Sequence, residues 1–215
     1  LEKICIEHGF KMCSVEQIIE YRLARESLVK RIEPKCGTPI ETPYGTFNLI
    51  AYHSAIDAVP HLALTVGGVG EMDEYGAARP IEEPTLVRVH RRNLLGDIFD
   101  ATDHPSGKEL RASLRMIAEE GKGVLIYMRP EQYGDEFIDR LQKIQRPESD
   151  VNVPDLTISE EPMDRRDYGT GVQIIRDLGL KKLKLLTNHP KHLTALHGFG
   201  IDVTEEIPIE TTDGR

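Results

Sequence analysis

Cysteine is scarce and confined: Cys5, Cys13 and Cys36 all fall in the first 36 of 215 residues. They cannot staple the rest of the chain, and their spacing matches no standard zinc pattern, so free thiols are expected. Basic charge is also in deficit. With 27 Lys and Arg against 36 Asp and Glu, the net charge of -9 excludes a protein that wraps nucleic acid, while leaving room for a local basic pocket around one nucleotide. Long apolar runs are missing too. Nothing approaches the roughly 18 residues that span a bilayer, and no signal-peptide pattern opens the chain. No membrane partner is expected, and the cytoplasm is the expected location. The chain begins at Leu1 rather than methionine, as a piece of a longer protein would. What is present is 39% hydrophobic residues with charges of both signs mixed among them, the composition of a folded globular chain. Its length suits one domain with an appendage and is enough to bury a core.

The first region, SVEQIIEYRLARESLVKRI, carries Val15, Ile18, Ile19, Leu23, Leu28, Val29 and Ile32 at helical spacing behind a possible N-cap, Ser14. Pro34 stops it, and CGTPIETPYG reads as turns. A boundary is placed there, giving an N-terminal helical appendage over residues 1–36 and a main domain over 37–215. In the second region TFNLIAYHS, HLALTVGG and LVRVH read as strands, the first two paired. SGKELRASLRMIAEEGKG reads as a helix opened by a capping box of Ser106 and Glu109 and stopped at Gly121 or Gly123. With GVLIYMR after it, this part is a βαβ unit, whose ligands gather at the carboxyl ends of the strands. RRDYGTGVQIIRDLGL is a further helix ending at Gly179, KKLKLLT a strand, KHLTALHGFG a short helix and IDVTEEIPI a last strand.

Three places have residues suited to chemistry. In HRRNLLGDIFDATDHPSG, Asp97, Asp100, Asp103 and His104 suit a divalent metal; the competing reading is carboxylates facing water. In MDRRDYGTG, acids and arginines meet a helix start, where free N–H groups favour anions, against a capping aspartate in a solvated charge run. In KLLTNHPKHL, Thr187, Asn188 and Lys191 offer a strand-to-helix turn to a phosphate, against ordinary turn chemistry.

These blocks, RVH-x-x-x-L-x-GD at Arg88 to Asp97, IAEEGKGVLIYMR, DRRDY at Asp164 to Tyr168 and LGLKKLKLLTNHPK at Leu178 to Lys191, resemble GTP cyclohydrolase II of riboflavin synthesis from Thr42 to Ile209. The first region, EHGFKMCSVEQIIEYRLARE, resembles the end of 3,4-dihydroxy-2-butanone 4-phosphate synthase, which bifunctional riboflavin proteins carry in front. The resemblance implies an α/β fold with a mixed β-sheet flanked by helices, a homodimer, and a synthase domain preceding this chain as a partner. It also implies a reaction: GTP hydrolysis releasing pyrophosphate and formate. Ring opening at C8 takes water on a zinc held by cysteines in the pattern C-x10-C-x-C; pyrophosphate release is assigned to an arginine and a nearby aspartate, with magnesium on the phosphates.

Laid on this sequence, the three zinc positions fall on Asn93, His104 and Ser106, so no metal or other cofactor is expected apart from magnesium accompanying a bound nucleotide. A serine and a glutamate after RVH become Arg91 and Arg92. Of the glutamate-glycine-arginine loop only Glu131 survives, before Gln132 and Tyr133. Asp164 and Arg166 match the base and nucleophile, Arg88 the GTP-binding arginine, Thr187 a phosphate-binding threonine and Lys191, a further substrate-binding candidate, the first of the two lysines after the family's TNNP, the second having become His192. The sequence therefore implies a cyclohydrolase-like domain that keeps part of a phosphate site and has lost ring opening, with a structural, oligomerisation or regulatory role. Two other readings stay open: a nucleotide hydrolase or transferase releasing pyrophosphate without formate, and a cyclohydrolase with an unorthodox metal site.

Overall fold

The computed structural model describes residues 2–13, 21, 26–102, 105–129, 138, 165–188 and 200–211. Among them the elements are α1 (Glu2–His8), β1 (Val29–Arg31), β2 (Thr38–Thr42), β3 (Gly45–Ser54), β4 (His61–Val66), β5 (Thr85–Arg91), α2 (Leu94–Phe99), α3 (Ser106–Glu120), β6 (Gly123–Met128), α4 (Arg165–Asp177), β7 (Lys182–Leu186) and β8 (Asp202–Ile207). The strands form one mixed sheet in the order β1-β3-β4-β6-β5-β7-β8, with β2 also on β3. The half from β1 to β6 is antiparallel, and within it β2–β3 and β3–β4 are consecutive in the chain. From β6 through β5 and β7 to β8 every pairing is parallel. The fold is α/β with a mixed sheet flanked by helices, as the resemblance implies.

Alternation along β5 and β6 decides which helix covers which face, because successive side chains of a strand point to opposite sides. Val87, Val124, Ile126 and Met128 pack with Val172, Ile174, Ile175 and Leu178 of the α4 segment. Leu86, Leu125 and Leu186 pack with Ala112 and Ile117 of α3 on the other face. Each helix ends where a glycine adopts the left-handed conformation: Gly121 has φ 72 and Gly179 has φ 82.

Two sequence expectations fail at the front of the sheet. Leu28, Val29 and Ile32 do not continue a helix. Val29–Arg31 is instead an edge strand on β3, with Val29 and Arg31 turned inward and Lys30 outward. The residues leading into it are held by α4: Gln173 Oε1 accepts from Leu28 N at 2.6 Å and Gln173 Nε2 donates to Glu26 O at 2.8 Å. Arg31 Nε donates to Asp177 Oδ2 at 2.6 Å, and the Tyr52 hydroxyl donates to the same oxygen at 2.7 Å. The CGTPIETPYG stretch is likewise not all turn. Residues 38–42 form β2, hairpin-paired with the start of β3. The Ser14 N-cap lies outside the described residues, although Tyr21 within the expected helix is helical.

At the start of β4, in register with Tyr52, His61 is fully buried. Its Nε2 donates to Asp57 Oδ2 at 3.0 Å and its Nδ1 accepts from Arg129 N at 2.9 Å. The ring thus ties the end of β6 to the start of β4. Burial pushes its pKa below the ordinary histidine value, partly opposed by Asp57.

Candidate functional site

The chain leaves β5 through α3 to β6 on one side, then crosses to β7 on the other side of β5. In an open α/β sheet such a reversal opens a crevice beyond the carboxyl ends of the two strands, here β5 and β7. The stretch from His90 to Gly107 runs across the carboxyl end of β5, and Thr187 and Asn188 follow β7.

The His90 to Gly107 stretch contains the short helix α2. Asn93 is the N-cap of α2: its side-chain oxygen accepts from Gly96 N at 3.2 Å, the short-range bond that asparagine makes at helix starts. Asp100 closes α2 in the left-handed conformation, with φ 50. Gly107, in the first turn of α3, lies so close to α2 that a Cβ there would stand 2.4 Å from Gly96 O and 3.0 Å from Asp97 O. Only a residue without a side chain allows that approach.

Beneath this crossing, the Asp97 side chain is only 3% exposed and accepts four hydrogen bonds. Oδ1 accepts from His90 Nε2 at 2.9 Å and Ser106 Oγ at 2.6 Å. Oδ2 accepts from Asn93 N at 2.9 Å and the Tyr127 hydroxyl at 2.7 Å. His90 and Tyr127 are register partners on β5 and β6, and their rings stack 5.5 Å apart. Burial alone raises a carboxyl pKa, but the bonds and charge of His90 and the Ser106 and Asn93 donors outweigh it, bringing Asp97 down to about 2. The carboxylate is ionised and saturated with donors. It neither faces water nor stands open to a cation, so both sequence readings of this residue give way to a third: an internal fastener for α2, α3, β5 and β6.

The capping box expected at Ser106 and Glu109 is absent. Pro105 occupies the N-cap position without a side-chain bond, and Ser106 turns away to Asp97. Glu109 instead faces the crevice. Its Oε2 accepts from Arg88 at 3.0 Å, and its Oε1 accepts from Asn188 Nδ2 at 3.0 Å. Arg88 also donates to Leu186 O at 3.0 Å, and Asn188 Oδ1 accepts from Ile209 N at 2.8 Å. Burial lowers the Arg88 pKa, opposed by the charge of Glu109 and its hydrogen bond.

Arg88, midway along β5, is therefore brought beside the end of β7 through its bond to Leu186 O, next to Thr187, whose amide is bonded to Ile207 O. Asn93 and Ser106 meet through Asp97. Arg166 lies in the first turn of the 13-residue α4. Asp164, Glu131, Lys191, Asp103 and His104 lie outside the described residues. The roles of Glu109, Tyr127 and His90 were missed from sequence. The one legible hint was the pairing of LVRVH with GVLIYMR, which sets His90 beside Tyr127.

The GTP cyclohydrolase II family profile matches residues 33–208. The chain is 40% identical over 212 residues to the riboflavin biosynthesis protein RibBA of Cytophaga hutchinsonii, covering 98% of this chain and 49% of that protein. It is 36% identical over 212 residues to RibBA of Bacillus subtilis, covering 98% and 50%. It thus spans about half the length of these curated relatives. Among solved structures it resembles that of RibBX, a two-domain 3,4-dihydroxy-2-butanone 4-phosphate synthase from A. baumannii, with a TM-score of 0.57, 24% identity, and coverage of 98% of this chain and 48% of that one. At that identity the likeness concerns the fold alone. The family match runs from just after β1 through β8 and takes in the whole crevice: the chain belongs to the GTP cyclohydrolase II family.

Proposed function

We propose that this chain is the cyclohydrolase-like part of a riboflavin-biosynthesis fusion protein, that it no longer opens the imidazole ring of GTP, and that it serves its fusion as a structural, oligomerising or regulatory module. The upstream partner in this reading is a 3,4-dihydroxy-2-butanone 4-phosphate synthase domain, whose C-terminal end residues 1–36 resemble. Self-association is as a homodimer.

One observation carries the reading. Of the three positions where the family's pattern calls for zinc-binding cysteines, Asn93 uses its oxygen to cap α2 and Ser106 commits its hydroxyl to Asp97. A neutral amide and a hydroxyl are weak zinc donors even when free. The nearby carboxylate gives no replacement, because both Asp97 oxygens already accept two hydrogen bonds each. This donor set does not fit zinc.

The test is to incubate the protein with GTP, magnesium and zinc, and to follow formate and pyrophosphate separately. Neither product in multiple turnovers is the expected result. Formate in multiple turnovers overturns the proposal in favour of an unorthodox metal site. Pyrophosphate without formate replaces it with a nucleotide hydrolase acting through Asp164 and Arg166. That second reading draws support from the place of Arg166 in the first turn of α4, where helix N–H groups favour a phosphate.

A further inference from the structure

The crevice between β5 and β7 contains cationic and amide donors suited to a phosphate, but an acidic side chain of the same chain is already bonded to them. The two oxygens of Glu109 divide between Arg88 and Asn188, each at 3.0 Å. This is the spacing at which two oxygens of a phosphate would bridge a guanidinium and an amide. The Arg88 and Glu109 side chains are 14% and 25% exposed, so their attraction is only partly screened by solvent. Arg88 is further fixed by Leu186 O at the end of β7, and its buried Nε has no hydrogen-bond partner among the described residues. Asn188 is fixed by Ile209 N. The donors are preorganised around an anion supplied from the first turn of α3.

We propose that Glu109 is a built-in occupant of this crevice, holding the place of a ligand phosphate on Arg88 and Asn188, so that phosphorylated ligands bind there only by displacing it. The inference rests on the preceding reading in taking Arg88 for a phosphate contact, and it predicts weak phosphate binding by the retained half of the site. A phosphate approaching Arg88 meets like charge at Glu109 and must also break an ion pair. Neutralising Glu109 at constant shape removes both obstacles.

Calorimetric titration of inorganic pyrophosphate, without metal, into the wild-type chain, Glu109→Gln, Glu109→Ala and the double variant Arg88→Met/Glu109→Gln tests this. Folding of each is checked by circular dichroism. Glu109→Gln is expected to bind at least about tenfold more tightly than wild type, with the gain abolished when Arg88 is also replaced. Equal affinity of wild type and Glu109→Gln overturns the proposal, as does a gain that survives loss of Arg88. If Glu109→Gln does not fold, Glu109→Ala carries the same comparison; failure of both to fold shows a structural tie only and also overturns it. Formate release by the wild-type chain would remove the preceding reading, but it leaves this comparison of anion affinities intact.

Discussion

Asp97→Asn is the sharpest perturbation of the site, because it exchanges one acceptor oxygen for a donor where all four neighbours donate. Whichever oxygen is replaced, the new N–H group faces two donors: His90 Nε2 and Ser106 Oγ, or Asn93 N and the Tyr127 hydroxyl. The two hydroxyls can rotate away, whereas the ring and the backbone amide cannot. Two buried hydrogen bonds to a charged acceptor are lost at roughly 1.5–3 kcal/mol each, so a destabilisation of about 3–6 kcal/mol is expected at neutral pH. For a chain of this length that corresponds to a fall in melting temperature of about 10 °C. The same carboxylate predicts a pH signature. Its pKa falls from the usual 3.8 to about 2 on folding, so its stabilisation is complete above 3.8 and is lost as the pH falls through about 2. That contribution is about 2 kcal/mol, and the variant should lack it. Urea unfolding of both proteins at neutral pH and at several values below pH 4 measures both effects. A loss under about 1 kcal/mol at neutral pH would refute the reasoning. So would a wild-type melting temperature that drops with a zinc chelator, since the fastener described here contains no metal.

Two further perturbations follow. His61 has a lowered pKa when folded, so its contribution is present above its unfolded value near 6.5 and is lost as the pH falls below it. Between pH 7.5 and 5.5 the wild type should lose stability more steeply than His61→Gln, and parallel urea midpoints would contradict this. Gly107→Ala places a methyl 2.4 Å from Gly96 O, forcing α3 away from α2 at a cost of about 1–3 kcal/mol. An unchanged melting temperature would show that the two helices are not held in contact.

The long, half-buried strands and the helices with glycine stops were legible because the periodicity of burial recorded them directly. β4 alternates between buried and half-buried positions, β6 is apolar and almost wholly buried, and α3 ends at Gly121, one of the two glycines expected. β1 and β2 were not legible. β1 spans three residues, too few to show alternation, and β2 is an edge strand with no buried residue and a proline inside it. The site divides in the same way. Arg88 and Thr187 lie on or beside regular strands, and their convergence follows once the parallel order is known. Asp97 could not be read, because what distinguishes a fastener from a metal ligand is the direction of four donors from four different elements. Ser106 and Glu109 had the spacing of a capping box, yet buried partners elsewhere drew both side chains away from the helix backbone.

The contacts that hold β1 have a mechanical meaning. Gln173 and Asp177, on the last two turns of α4, bond to residues 26–31 at Glu26, Leu28 and Arg31, and the first turn of the same helix carries Arg166. The segment entering the sheet is thus clamped to a rigid rod whose far end lies at one of the candidate phosphate positions. A twist or pull applied ahead of Glu26 is not absorbed as slack in a tether; it is passed to α4 until the Gln173 and Asp177 bonds break, the helix shifts or β1 leaves the edge of the sheet.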